Sequence, residues 1–150
     1  MLSALIPPSG MIFRRSKKIG SRLIRWGTQE NWSHIGIMFD GKVYHSDTHG
    51  CHSSTPEEFS LNAETLIIPR EIREAQKSRA YFALGDKYDW GAILWFAFSL
   101  PFRRIGIRLP EFTINPRWMV CSEYATWILW GEEQTHTPGE VMLRALQNPT

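Results

Sequence analysis

The stretch from His34 to Ser46 constrains the chain more than any other part of it. Two runs rich in β-branched and aromatic residues, His34-Ile35-Gly36-Ile37-Met38-Phe39 and Lys42-Val43-Tyr44-His45-Ser46, flank Asp40-Gly41. Asp-Gly accepts the positive φ angles of a tight type I′ turn, so the two runs are predicted to pair as an antiparallel hairpin. Side chains alternate along a strand, which sends His34, Gly36 and Met38 to one face and Ile35, Ile37 and Phe39 to the other. With pairing symmetric about the turn, Phe39 meets Lys42, His34 falls opposite Asp47, and His45 lies one diagonal away.

A lone hairpin is marginal in water, and the rest of the chain supplies elements to cover it without a regular βαβ alternation. A short strand is expected at Met11 to Phe13, and Ile19, Leu23 and Ile24 fit one stripe of a following helix. Thr55-Pro56-Glu57-Glu58 and Thr137-Pro138-Gly139-Glu140 each carry a capping-box pattern with Pro at the first helical position, opening a short helix and a terminal one. Thr65 to Pro69 reads as a buried strand, and Glu71 to Leu84 as a helix closed by Gly85. Asp89 or a neighbour caps a helix through Ser99 that Pro101 is expected to end. From about Val120 to Trp130 a strong helix carries Cys121, Ala125, Ile128 and Leu129 on one face. The fold class is therefore α+β, with an antiparallel sheet.

At 150 residues the chain has the size of one domain, spanning 1–150, and 43% hydrophobic with 21% charged residues excludes both a disordered and a membrane-embedded chain. The longest apolar run, Gly91 to Phe102, falls short of the roughly 18–20 residues that cross a bilayer, so no transmembrane segment is expected. Its aromatic residues Trp90, Trp95, Phe96, Phe98 and Phe102 are expected in the core. The apolar start, Met1 to Pro8, is too short for a signal peptide and its positive charges follow rather than precede it. The expectation is synthesis in the cytoplasm, with lysis, dedicated secretion, a phage virion or a toxin needed to reach an outside substrate. A net charge of +2 argues against specific nucleic-acid binding. The basic cluster of Arg14, Arg15, Lys17, Lys18, Arg22 and Arg25 nonetheless offers contact to an anionic surface, although most such runs are solvated helix faces.

Cys121 is the candidate nucleophile, because free N–H groups and the dipole at a helix N-terminus lower a thiol's pKa. A helix start at Asn115-Pro116 would instead place it beyond the first turn, and a buried hydrophobe is the plain alternative. His34 begins its strand beside Gly36, which leaves room for a neighbour, and suits the base of a nucleophile pair. His45, or Asp47 within reach of the same ring, would orient it. Zinc is the rival use of this region, where His45, His49, Cys51 and His52 crowd together. Their spacing fits no common zinc module, so neither a metal nor a cofactor is predicted.

Trp32-Ser33-His34-Ile35-Gly36-Ile37, Val43-Tyr44-His45-Ser46, Tyr88-Asp89-Trp90 and Val120-Cys121-Ser122-Glu123-Tyr124, in that order, resemble the circularly permuted branch of the NlpC/P60 papain-like superfamily. The resemblance implies a papain-like fold in which a helix presenting Cys121 packs on an antiparallel sheet carrying His34, with His45 in the third polar position. Many permuted relatives have Glu there, whereas a third His is usual in the ordinary branch. It also implies acyl transfer through a thioester, with a Cys-His-His triad and the Cys121 N–H as an oxyanion donor. Three function classes follow. The first is a cysteine peptidase or amidase acting on a peptidoglycan peptide or similar amide. The second is an acyltransferase or esterase of the same fold acting on lipid, favoured by the aromatics and the basic cluster. The third is a non-catalytic zinc- or anion-binding module.

Overall fold

A computed structural model describes residues 7–110, 118–132 and 136–148, leaving aside the side chains of Ile93 and Phe96. The expectations for residues 1–6 and for Asn115-Pro116 lie outside these residues. The elements are β1 (Gly10–Ser16), α1 (Ile19–Thr28), β2 (His34–Phe39), β3 (Lys42–Asp47), β4 (Gly50–Ser54), α2 (Pro56–Ser60) and β5 (Ala63–Pro69), followed by α3 (Glu74–Phe82), α4 (Trp90–Arg104), α5 (Cys121–Trp130) and α6 (Pro138–Gln147). One five-stranded sheet runs in the order β4-β3-β2-β1-β5, with every neighbouring pair antiparallel. The class is α+β.

The hairpin forms around positive φ angles of 50° at Asp40 and 73° at Gly41, the signature of a type I′ turn. Phe39 pairs with Lys42 and Ile37 with Tyr44, the symmetric register. Ile35, Ile37 and Phe39 point to the face where Met11, Phe13, Tyr124, Ala125, Ile128 and Leu129 complete the main core. The opposite face is thinner: Ile12, Met38 and Val43 pack under Phe59 of α2. Gly36 belongs to this second face, and a Cβ there would run into Val43 Cγ1, with Phe59 Cε2 only 3.3 Å away.

Polar contacts at both ends hold α5 on the sheet. At its start, Ser46 Oγ donates to the Met119 carbonyl at 2.6 Å and the Glu123 carboxylate accepts the Val120 N–H at 2.9 Å. At its end, Gln76 and Arg79 of α3 donate to the Leu129 and Ile128 carbonyls at 2.9 and 3.0 Å, satisfying groups that helix geometry leaves open. The buried Tyr124 hydroxyl donates to the Ala80 carbonyl at 2.7 Å, tying the middle of α5 to α3.

Three expectations are corrected and one strand is added. β5 is a partly exposed edge strand rather than a buried one. β4 follows directly on β3, although its polar Gly50-Cys51-His52-Ser53-Ser54 sequence shows no strand alternation. α4 continues through Pro101 to Arg104, because buried Leu100 seats against Gly27 of α1 so closely that no Cβ fits there. Of the aromatics expected in the core, Trp90 is 53% and Phe98 58% exposed, and of the α1 stripe Ile19 and Leu23 face outward while Ile24 is half-buried.

Candidate active site

Cys121 is the first residue of α5, with Val120 in extended backbone conformation as its N-cap. The thiol accepts from the backbone N–H groups of Ile35, Ser122 and Cys121 itself, so it lies against the first turn of α5 and against β2 beside His34. These groups favour thiolate, as expected at a helix start. Burial outweighs them and pushes the thiol up to about 11, which reverses the expected direction of the shift. The second cysteine, Cys51, sits in the main core and is pushed up further, to about 12, by burial and the nearby Asp86 and Glu123 carboxylates, against a bond to Ser46.

His34 and His45 meet across the hairpin, with 3.1 Å between His34 Nε2 and His45 Nδ1. The rings are nearly perpendicular, and His34 stacks on Phe59 at 5.4 Å between ring centres. His45 Nε2 lies 3.0 Å from Ser54 Oγ on β4, extending the chain of contacts to a third strand. Burial pushes His34 down to about 4, aided by the Arg14 guanidinium, and pushes His45 down to about 3, aided by His34 and His52. Both rings are therefore neutral at pH 7, able to pass a hydrogen bond along the line Ser54, His45, His34.

Cys121 and His34 open onto one cavity of about 110 Å³. Its wall comes from four directions: Ile24 and Thr28 of α1, Ala92 and Arg103 of α4, Tyr88 before α4, and the start of α6 at Thr137 and Pro138. Glu30 braces this wall by accepting from the Thr137 hydroxyl and, at 2.9 Å, from the Gly139 N–H. Burial raises the Glu30 carboxyl above its ordinary value despite those two bonds.

Asp47 does not take the orienting position. It accepts from the His49 N–H at 2.8 Å and faces His52 at 3.6 Å, while His45 holds the His34 ring. The backbone bond to His49 and the nearby His52 and His45 hold its carboxyl below the usual range, against the effect of its own burial. Three contributors escaped the sequence reading. Ser54 lay in an unrecognised strand. Tyr88 was read only as part of a motif. His136 lines the cavity with its Nε2 buried and without a hydrogen-bond partner among the described residues. An isolated His directly ahead of the Thr137 cap carries no local pattern that would have singled it out. Of the expected anion contacts, Arg14 donates to the Leu61 carbonyl at 3.2 Å and Arg15 to Glu64 at 2.9 Å, whereas Lys17 and Lys18 are exposed.

No family model matches the chain, and no curated protein does. Among solved structures it is similar to the metalloprotein YiiX of Escherichia coli O157:H7, described as DUF1105, with a TM-score of 0.51 and 19% identity over 91% of this chain and 92% of that one. At that identity the likeness concerns the fold alone. These findings overturn the assignment to the permuted NlpC/P60 branch. The motifs behind it are short, and local packing accounts for much of them: Gly36 is required by Val43 and Phe59, and Glu123 by the N-terminus of α5. The cell-wall peptide substrate rested on the same resemblance and loses its support with it.

Proposed function

We propose that the chain is a cysteine hydrolase or acyltransferase that breaks an amide or ester bond through a thioester on Cys121. The observation carrying this reading is that a thiol at a helix start and an imidazole fixed by a second imidazole share one cavity wall. In one self-consistent set of tautomers, His45 donates Nε2–H to Ser54, and His34 donates Nε2–H to His45 Nδ1. His34 Nδ1 then carries the lone pair that faces the work of the site.

Because burial keeps thiol and imidazole neutral, proton transfer accompanies attack instead of preceding it. Sγ bonds to the carbonyl carbon as its proton passes to His34, and the N–H groups at the start of α5 stabilise the oxygen as it gains charge. His34 returns the proton to the leaving nitrogen or oxygen as that bond breaks. Water or an acceptor hydroxyl, deprotonated by His34, then attacks the thioester carbonyl, and as the C–S bond breaks His34 returns that proton to Sγ. A helix carrying the cysteine, laid on an antiparallel sheet carrying the histidine, supports a papain-like reading of the architecture with histidine preceding cysteine in the chain.

The test is turnover of a water-soluble p-nitrophenyl ester. Cys121→Ala is expected to abolish it, and His34→Ala to lower kcat by about 10²–10⁴-fold with little change in KM. Turnover that survives Cys121→Ala would refute the reading.

A second reading has its own observation. His52 Nδ1 donates to the Gly50 carbonyl at 2.9 Å, so its Nε2 lone pair faces Asp47 Oδ2 at 3.6 Å, an arrangement suited to a cation between them. With His45 these residues offer three ligand atoms within 4.8 Å of one another, in zinc-type chemistry, and the similar YiiX is described as a metalloprotein. Ligation would require a ring nitrogen of His45, both of which are already engaged. Zinc that binds stoichiometrically, is lost in Asp47→Asn, and inhibits ester turnover would favour this reading.

A further inference from the structure

Helices α1 and α4 present the largest contradiction between pattern and burial in the molecule. Ile19, Leu23 and Trp26 recur at helical spacing on α1 and are all exposed, as are Leu94 and Phe98 on α4 and Ile105 just past its end. The two helices lie side by side, with Leu100 seated on Gly27 and the Arg104 guanidinium 5.4 Å from the Trp26 ring centre. Exposed apolar area of this extent on a water-soluble surface marks a place that something covers.

Charge identifies the covering partner. Residues 17–28 and 90–108 contain seven lysines and arginines and no aspartate or glutamate, although the whole chain is nearly balanced at +2. A second copy seated on this face would bring like charges together, whereas an anionic bilayer meets both its apolar and its basic parts. No helix among the described residues is long and apolar enough to cross a membrane, so the contact would lie in the plane of the interface. We propose that α1 and α4 form a docking face for an anionic lipid bilayer, inserting Ile19, Leu23, Leu94 and Phe98 at headgroup depth, with Lys17, Lys18 and Arg104 against lipid phosphates.

The other faces of the same helices supply Ile24, Thr28, Ala92 and Arg103 to the cavity that Cys121 opens onto. Docking would thus set the cavity beside the bilayer and favour an acyl group carried by lipid as the substrate. That substrate assignment rests on the thioester reading above. The docking itself does not.

Co-sedimentation of the full chain with phosphatidylcholine vesicles, with and without phosphatidylglycerol, tests the proposal. Binding at least about tenfold stronger to the anionic vesicles and weakened by salt is expected. The double variant Ile19→Asp/Leu94→Asp, both exposed positions, should keep its thermal midpoint and lose at least about tenfold in binding, and Lys17→Glu or Lys18→Glu about fivefold each. Failure to bind anionic vesicles, equal binding by the double variant, or a wild-type dimer that the double variant dissociates would each overturn it. Cys121→Ala should sediment like wild type, and the double variant should still turn over a water-soluble ester. Loss of docking and loss of chemistry are thereby read apart.

Discussion

The same helical periodicity has opposite outcomes in two parts of the molecule. On α5, the stripe through Ala125, Ile128 and Leu129 closes over the sheet and is buried. On α1 and α4, apolar residues of the same spacing face outward, while Leu100 on Gly27 makes the contact between the helices and Ile24, Thr28, Ala92 and Arg103 line the cavity. Periodicity identifies an apolar face, but the identity of its cover depends on what the rest of the chain brings to it. For α5 the cover is the strongly specified hairpin. For α1 and α4 the described residues provide none.

This contrast is open to experiment, and the largest effect is expected in α5. Ile128→Ala should cost about 2–5 kcal/mol in urea denaturation, the range for a fully buried aliphatic side chain. A smaller loss would mean that the sheet and α5 are less tightly joined than described. Gly27→Ala comes next, at about 1–3 kcal/mol, because the added methyl collides with the buried Leu100 side chain of α4. Thr137→Val should cost about 1 kcal/mol by removing the α6 cap and a hydrogen bond to the half-buried Glu30 carboxylate. Leu94→Ser and Phe98→Ser should each lie within about 0.5 kcal/mol of wild type, and a cost like that of Ile128→Ala would show that the flank is covered after all.

Proton linkage sharpens the same contrast at the site. His34 and His45 have folded pKa values of about 4 and about 3, below the ordinary 6.5. Between these values and 6.5 the unfolded chain binds more protons than the native one, so stability should be fully present above pH 6.5 and fall as the pH drops towards 3. Denaturation midpoints across that range should flatten in His45→Gln.

Much of the sheet half was legible because its rules are local. Asp40-Gly41 sets a turn, alternation sets the faces, and both together place His45 within reach of His34. The two Thr-Pro capping boxes and the start of α5 were legible for the same reason. β4 was not, since Gly50 to Ser54 has neither alternation nor β-branched residues and pairs only because β3 offers it an edge. Ser54 was missed with it. His136 could not be found at all, because it reaches the cavity through long-range contacts at the start of α6. The direction of the Cys121 shift was misjudged for a related reason: a helix N-terminus is visible in the sequence, whereas the burial that outweighs it arises from four separate segments.

The most direct measurement is the intact mass of the protein after brief exposure to a medium-chain p-nitrophenyl ester, followed by peptide mapping. The account predicts a single acyl group on Cys121, none on Cys51, release of that group by hydroxylamine, and sharply reduced formation in His34→Ala. An unmodified Cys121 in folded wild-type protein, or acylation that proceeds equally well without His34, would contradict it.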